Sequence, residues 1–233
     1  DADGIIAISD GVAENVLERF PTLSPLTRTI YNAAIDPSEQ SPSLIDSAAG
    51  TRSDSFQLVA CGRLTEQKGF CDLLEAFRIV RDREEAHLQI LGTGPLQDAL
   101  VAQSNRLGLR DDVDFLGFQT QPLEYFARAD LFVLSSWWEG FGNVIVEAMS
   151  VGCPVISTYC PYGPSEIIEH GKNGLLTPPR CPWQLAEQMI ALMKDPQLQQ
   201  TLSVNGIARS KSFHASVIAD QYAGVIEQRT ESS

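Results

Sequence analysis

Glu139 and Glu147 bracket the run Gly140-Phe141-Gly142-Asn143-Val144, which follows the apolar stretch from Leu131 to Leu134. Gly140, Phe141 and Gly142 let the backbone approach a ligand closely, and Asn143 and Val144 stand where an emerging helix leaves its first N–H groups unpaired. Glu139 lies just before that helix, and Glu147 about one turn inside it. Two carboxylates so placed can accept hydrogen bonds from vicinal hydroxyls while the helix start faces a phosphate. The first ligand this chemistry suggests is a sugar nucleotide. The same spacing fits a plainer arrangement equally well, with Glu139 complementing the helix dipole and Glu147 an exposed helical residue.

A second group lies in Gly62-Arg63-Leu64-Thr65-Glu66-Gln67-Lys68-Gly69, between an apolar run and a helical pattern. Arg63 can offer two parallel bonds to a diphosphate and Lys68 a point contact, or both can stand as solvated surface cations. The chain carries 17 Lys and Arg against 30 Asp and Glu, a formal charge of -13. Such a field repels nucleic acid and anionic lipid, so a bound phosphate needs local donors of this kind. Gly92-Thr93-Gly94-Pro95 is half of a dinucleotide fingerprint, lacking the third glycine, and by itself reads as a tight turn. Phe115-Leu116-Gly117-Phe118 can border a flat base or supply core aromatics. Trp137 and Trp138 offer a stacking platform for a sugar or a packed strand end. His87, His170 and His214 are scattered, and no His or Cys stands at metal-ligand spacing, so no metal site is expected. No GxSxG run supports covalent hydrolysis.

These loops need a scaffold. Short apolar runs at 56–61, 87–91, 113–115, 131–134, 154–158 and 174–176 alternate with helical patterns at 70–81, 96–107, 122–127, 143–151 and 165–169. Alternation of this kind predicts a doubly wound α/β fold, with a parallel sheet covered on both faces and ligands beyond the carboxyl ends of its strands. The Ser-, Pro- and Ala-rich stretch 36–55 reads as a flexible linker. Before it stand a strand near Gly4 to Ile8, a helix over 10–20 capped by Ser9 and a strand over 28–31, too few to make a core. After the sheet come helices over 183–193, 196–208 and 216–228.

At 233 residues and 43% hydrophobic, the chain suffices for one large domain, or one domain with part of another. Five cysteines show no paired framework, and several sit inside apolar runs where a reduced thiol packs as a small hydrophobe. The longest apolar runs reach about five residues, where a bilayer span needs about 20, and no signal layout precedes them. A soluble, cytoplasmic protein is the expectation. Because Asp1 leads at once into a strand, a fragment with a missing upstream partner is expected.

In order along the chain, Gly62-Arg63-Leu64 with Lys68-Gly69, Gly92-Thr93-Gly94, Phe115-Leu116-Gly117, Glu139-Gly140-Phe141-Gly142 with Glu147-Ala148-Met149, Gly152-Cys153-Pro154-Val155-Ile156 and Asn173-Gly174 resemble one family. They are similar to the C-terminal, donor-binding domain of GT-B glycosyltransferases of family 4, over nearly the whole stretch from Phe56 to Gln228. The resemblance implies the Rossmann-like half of a GT-B fold with C-terminal helices. Residues 1–36 would be a remnant of the acceptor domain and hinge, and 37–55 a linker. Residues 56–211 would be the donor domain, and 212–233 a helix crossing back to the absent partner.

It also implies roles. Arg63 and Lys68 would bind the diphosphate, Glu139 would hold the transferred sugar near its reacting carbon, and Glu147 would hold the ribose. Backbone from Gly140 to Val144 would contact sugar and phosphate, with Gly62, Gly94, Gly117 and Phe118 also at the donor. Such enzymes retain anomeric configuration and need neither metal nor cofactor, the nucleotide sugar being a substrate. The stretch from Cys160 to Ile168 resembles bacterial members that build surface polysaccharides and glycans, often from UDP-hexoses or UDP-N-acetylhexosamines. Their glycan or lipid-linked acceptor, and any peripheral membrane contact, would come through the missing half. Acceptor-side groups of the family, including a histidine, have no match here, so the fragment is expected to bind nucleotide and turn over little. A non-catalytic sugar-nucleotide-binding module and a GT-B epimerase are the competing expectations.

Overall fold

In the computed structural model the described residues are 4–36 and 55–230; the linker expected over 37–55 lies outside them except for Ser55. Six strands, β3 Phe56–Cys61, β4 Ala86–Leu91, β5 Val113–Gly117, β6 Leu131–Leu134, β7 Val155–Thr158 and β8 Leu175–Thr177, form one parallel sheet in the order β5-β4-β3-β6-β7-β8. Every residue of β6 and β7 is buried, as a parallel strand covered on both faces requires.

Side chains alternate between two cores. Leu58 and Ala60 of β3 join the core beneath helices α2 Phe70–Arg81 and α7 Pro182–Met193. Between them Val59 joins the opposite core, with Ile145, Val146 and Met149 of α5 Asn143–Ser150. The expected doubly wound α/β fold is the one observed. Helices α3 Gln97–Arg106, α4 Pro122–Arg128 and α6 Pro164–Ile167 complete the crossovers, and α8 Pro196–Ser210 and α9 Ala215–Thr230 follow α7.

Most boundaries fall within two residues of those read from the sequence, and the differences have local causes. The helix expected over 165–169 is α6, which ends at Ile167. Asn173 donates to the Ile167 carbonyl at 3.1 Å and accepts from the Glu169 N–H at 2.8 Å, while Arg209 takes the Glu166 and Ile167 carbonyls at 2.6 and 3.1 Å. Carbonyls claimed from outside cannot extend a helix. The strand expected over 28–31 is β2 Thr27–Thr29, limited by its three-residue parallel partner β1 Ile5–Ala7.

The N-terminal segment has little core of its own and uses that of the large domain. Helix α1 Asp10–Arg19 is capped by Ser9, whose Oγ accepts from Val12 at 3.2 Å. The neighbouring Asp10 and Gly11 N–H groups reach out of the segment to the Glu166 carboxylate, at 2.6 and 3.1 Å. That carboxylate is well placed against the positive end of a helix dipole. The Tyr31 ring packs on Phe141 and Phe213 at centroid distances of 5.5 and 5.7 Å. Ile35 is buried and forms a parallel bridge with His214, and its carbonyl accepts from Ala215 at 2.9 Å. On α9 Ile218 is buried, whereas Val217, Tyr222 and Ile226 are exposed.

At the carboxyl ends of β3 and β4 the backbones touch. Gly92, at φ +128°, would place a Cβ 1.9 Å from the Gly62 carbonyl oxygen, whereas at Gly117, φ +69°, a Cβ would meet nothing within 4 Å. Gly117→Ala should therefore cost only the left-handed strain of about 1 to 2 kcal/mol. Gly92→Ala must in addition push two loops apart and should cost more than about 3 kcal/mol. Urea unfolding of the two variants measures the difference, and equal losses would contradict the backbone contact.

Candidate functional site

Strand order reverses between β3 and β6, since β4 and β5 continue to one side of β3 and β7 and β8 to the far side of β6. At such a switch point adjacent loops leave in opposite directions and open a crevice. Gly62 and Arg63 follow β3, and Glu139 to Val144 follow β6, so both groups singled out in the sequence meet there. Gly94 lies beyond β4, and Gly117 ends β5 with Phe118 after it. Glu147 stands on α5, half-buried, not fully exposed.

The β6 loop and the 3₁₀ turn Glu66–Lys68 are stitched together. Trp137 N–H donates to the Gln67 carbonyl at 2.8 Å. The Gln67 side-chain amide donates to the Trp138 carbonyl at 2.9 Å, and Ser135 Oγ to the Lys68 carbonyl at 2.8 Å. Held this way, Lys68 Nζ reaches Glu139 Oε1 at 2.5 Å. The same oxygen accepts from Ser136 Oγ at 2.6 Å. Glu139 is 8% exposed, and its N–H donates to the Pro161 carbonyl at 3.2 Å, which ties the motif to the β7 loop as well. Lys68 is thus no solvated surface cation. Arg63 is exposed, and its guanidinium has no partner among the described residues.

A cleft of about 760 Å³ runs beside this pair, lined by Arg63, Glu66, Gln67, Lys68, Pro95 and Trp138 among others. Gly142, at φ +98°, is the N-cap of α5 and brings no side chain to cap it. The N–H groups of Asn143 and Val144 accordingly open towards the strand ends. Asn143 Oδ1 accepts from Asn32 of the N-terminal segment at 3.2 Å.

The Phe141 ring, 2% exposed, lies in the aromatic cluster with Tyr31 and Phe213 and offers the site its backbone alone. Gly94 has a packing reason to be glycine, since a Cβ there would come within 2.4 Å of the Leu64 backbone. Phe118, by contrast, is 73% exposed beside the Gly117 turn. The Trp pair divides: Trp137 is fixed by its indole N–H on Asp72 at 2.6 Å and by the Arg180 guanidinium 4.1 Å from its ring centroid, whereas Trp138 is free of both. Sequence reasoning missed Ser136, Gln67 and Arg180. Gln67 lies inside a motif already noted and Ser136 just before the tryptophan pair, but nothing in spacing shows what they bond.

Cys61 ends β3 near Glu147, and burial, followed by that negative charge, pushes its thiol up to about 12. Cys160 is pushed up to about 11 by burial, with Glu139 adding to the rise. Both should resist iodoacetamide at pH 8 in the native chain, because their raised pKa leaves little thiolate. Peptide mapping that finds either rapidly labelled would contradict their burial. Lys68→Ala strips the cation from a buried carboxylate and should lower unfolding stability by about 3 kcal/mol. The double variant Lys68→Met with Glu139→Gln should recover most of that loss in urea titrations.

Comparison with known proteins agrees with this geometry. The family model for glycosyl transferases group 1 matches residues 44–209. An uncharacterized glycosyltransferase of Methanocaldococcus jannaschii is 36% identical over 204 residues, 75% of this chain and 50% of that protein. The Campylobacter jejuni N-acetylgalactosamine-N,N'-diacetylbacillosaminyl-diphospho-undecaprenol 4-alpha-N-acetylgalactosaminyltransferase is 29% identical over 218 residues, 94% of this chain and 58% of that one. The crystal structure of Anabaena HepE in complex with UDP and glucose superposes with a TM-score of 0.86 at 31% identity, over 97% of this chain and 63% of that chain. The chain spans about half the length of the curated relatives it matches. With its six-stranded parallel sheet and GT-B neighbours, the chain belongs to the glycosyl transferases group 1 family as a C-terminal GT-B domain.

Proposed function

We propose that residues 56–211 are the donor-binding half of a retaining glycosyltransferase. It moves a hexose or N-acetylhexosamine from UDP to a glycan or lipid-linked acceptor in surface polysaccharide or glycan synthesis. One observation carries the reading: Arg63, the Lys68–Glu139 pair and the uncapped start of α5 converge at the switch point of the sheet. HepE, whose structures include complexes with UDP and with UDP-glucose, supports the choice of base. The C. jejuni relative is named for alpha transfer to a diphospho-undecaprenol-linked acceptor, which supports both the acceptor class and retention from an alpha-linked donor.

Breaking the bond between sugar and diphosphate leaves negative charge on the leaving oxygens. Arg63, Lys68 and the N–H groups of Asn143 and Val144 would stabilise that charge, which lowers the barrier without a metal or cofactor. Glu139 accepts from a sugar hydroxyl and is not assigned as a nucleophile: Oε1 is committed to Lys68 and Ser136, while Oε2 makes no hydrogen bond among the described residues. Glu147 holds the ribose, and Gly117 with Phe118 borders the base. No helix among the described residues is long and apolar enough to cross a membrane. In this reading the reaction runs in the cytoplasm at the inner membrane face, where the facing half of the enzyme brings the acceptor.

Thermal unfolding with UDP, GDP and ADP tests the reading. UDP at 100 times its dissociation constant should stabilise the chain by about 2.7 kcal/mol, and no stabilisation by any of the three would sink it. Arg63→Ala should weaken UDP about tenfold through the loss of charge-assisted bonds; an unchanged affinity removes Arg63 from the diphosphate site. These 233 residues alone should bind UDP without transferring sugar, and measurable transfer would show that the facing half is dispensable.

A further inference from the structure

We propose that Trp138 is an aromatic platform for a sugar ring of the acceptor, on the donor domain's side of the cleft. The indole is 47% exposed while its neighbour Glu139 is 8% exposed, so the two consecutive side chains face different surroundings. Lys68 is common to both: its ammonium lies 2.5 Å from Glu139, and it lines the same cleft as Trp138. A ring resting on Trp138 would lie in this cleft next to one held by Glu139. That is the relation of acceptor to donor in a transfer reaction.

The platform is built for this use. Its backbone is pinned by the Gln67 amide on the Trp138 carbonyl at 2.9 Å, and the adjoining Trp137 is fixed by Asp72 and Arg180. A half-exposed indole on a pinned loop presents a flat apolar face at little entropic cost. Around it stand groups suited to hydroxyls: the exposed Glu66 carboxylate and the Thr65 side chain line the same cleft. An apolar face edged by hydroxyl-binding groups matches a pyranose, whose ring carries C–H groups on one face and hydroxyls around its rim.

Among the cleft's residues Leu96 packs against the core under α2, whereas Phe141, Phe213 and Ile35 belong to the core on the opposite face of the sheet. The assignment to an acceptor rests on the glycosyltransferase reading; the contact with a sugar does not.

Saturation-transfer difference NMR on the 233-residue chain with saturating UDP tests the proposal, with maltose, N,N'-diacetylchitobiose and lactose as probes. At least one disaccharide should receive saturation on a single ring face, fall about tenfold or more in Trp138→Ala, and recover in Trp138→Phe. UDP affinity should stay within about twofold in Trp138→Ala, since the diphosphate contacts are assigned to Arg63, Lys68 and the start of α5. Signal that persists in Trp138→Ala, no signal from any probe, or no recovery with Phe overturns the platform. A large loss of UDP affinity in Trp138→Ala reassigns the ring to the donor and overturns the acceptor role. Failure of the wild-type chain to bind UDP sinks the donor reading by itself, while the probe comparison, repeated without UDP, still decides whether Trp138 holds a sugar.

Discussion

An ammonium and a carboxylate held 2.5 Å apart with little access to water organise this site. Desolvating both charges costs several kcal/mol, recovered only where geometry is good and other groups satisfy the remaining bonds. Here Ser136 supplies the second bond to Oε1, and three loop contacts set the approach of Lys68 before its own charge matters. Because the pair is internally balanced, the positive groups left to meet an anion at the crevice are Arg63 and the start of α5, with Glu66 opposing them. In a chain of formal charge -13, those two features give an anion a reason to stop there. An incoming diphosphate would also compete for Lys68 and release Glu139 Oε1 towards a hydroxyl, so binding the two ends of a donor would be linked through one ion pair.

Much of the scaffold was legible because a parallel sheet buries its strands on both faces. The runs ending at Cys61 and Leu134 are near-continuous apolar stretches, and the observed β3 and β6 coincide with them. The loops that follow carry the residue types a phosphate requires, so the neighbourhood of Arg63, Lys68 and Glu139 could be read from order alone. Their bonding could not. Lys68 and Glu139 are far apart in sequence, and composition offers solvated cations and a buried ion pair on equal terms. Only the stitched loops decide between them.

Other features were hidden because one residue type serves two purposes. Phe141 sits between two glycines of a ligand-like motif, yet its ring is a core aromatic contacting Tyr31 and Phe213. Trp137 and Trp138 are adjacent and chemically alike, but one is enclosed by Asp72 and Arg180 while the other faces the cleft. The docking of α1 was equally silent: Ser9 reads as its cap, while the Asp10 and Gly11 donors are taken by Glu166, which sequence patterns place in an unrelated helix.

These contacts place mechanical coupling where chemistry is expected. Phe141, between Gly140 and Gly142, is clamped by Tyr31 of the N-terminal segment and Phe213 ahead of α9. A Cβ at Gly163 would come within 2.0 Å of the Phe141 carbonyl oxygen, so the β7 loop closes on the same residue from another side. Asn32 bonds Asn143 at the start of α5. Close-packed groups do not deform continuously, so a shift of residues 30–35 relative to the sheet must be met either by repacking the Phe141 cluster or by moving the glycine turn. The position of residues 30–35 and the geometry of the α5 N-terminus are therefore linked through the Phe141 cluster and the Asn32–Asn143 bond. That linkage accounts for a bulky residue between two glycines better than ligand contact does.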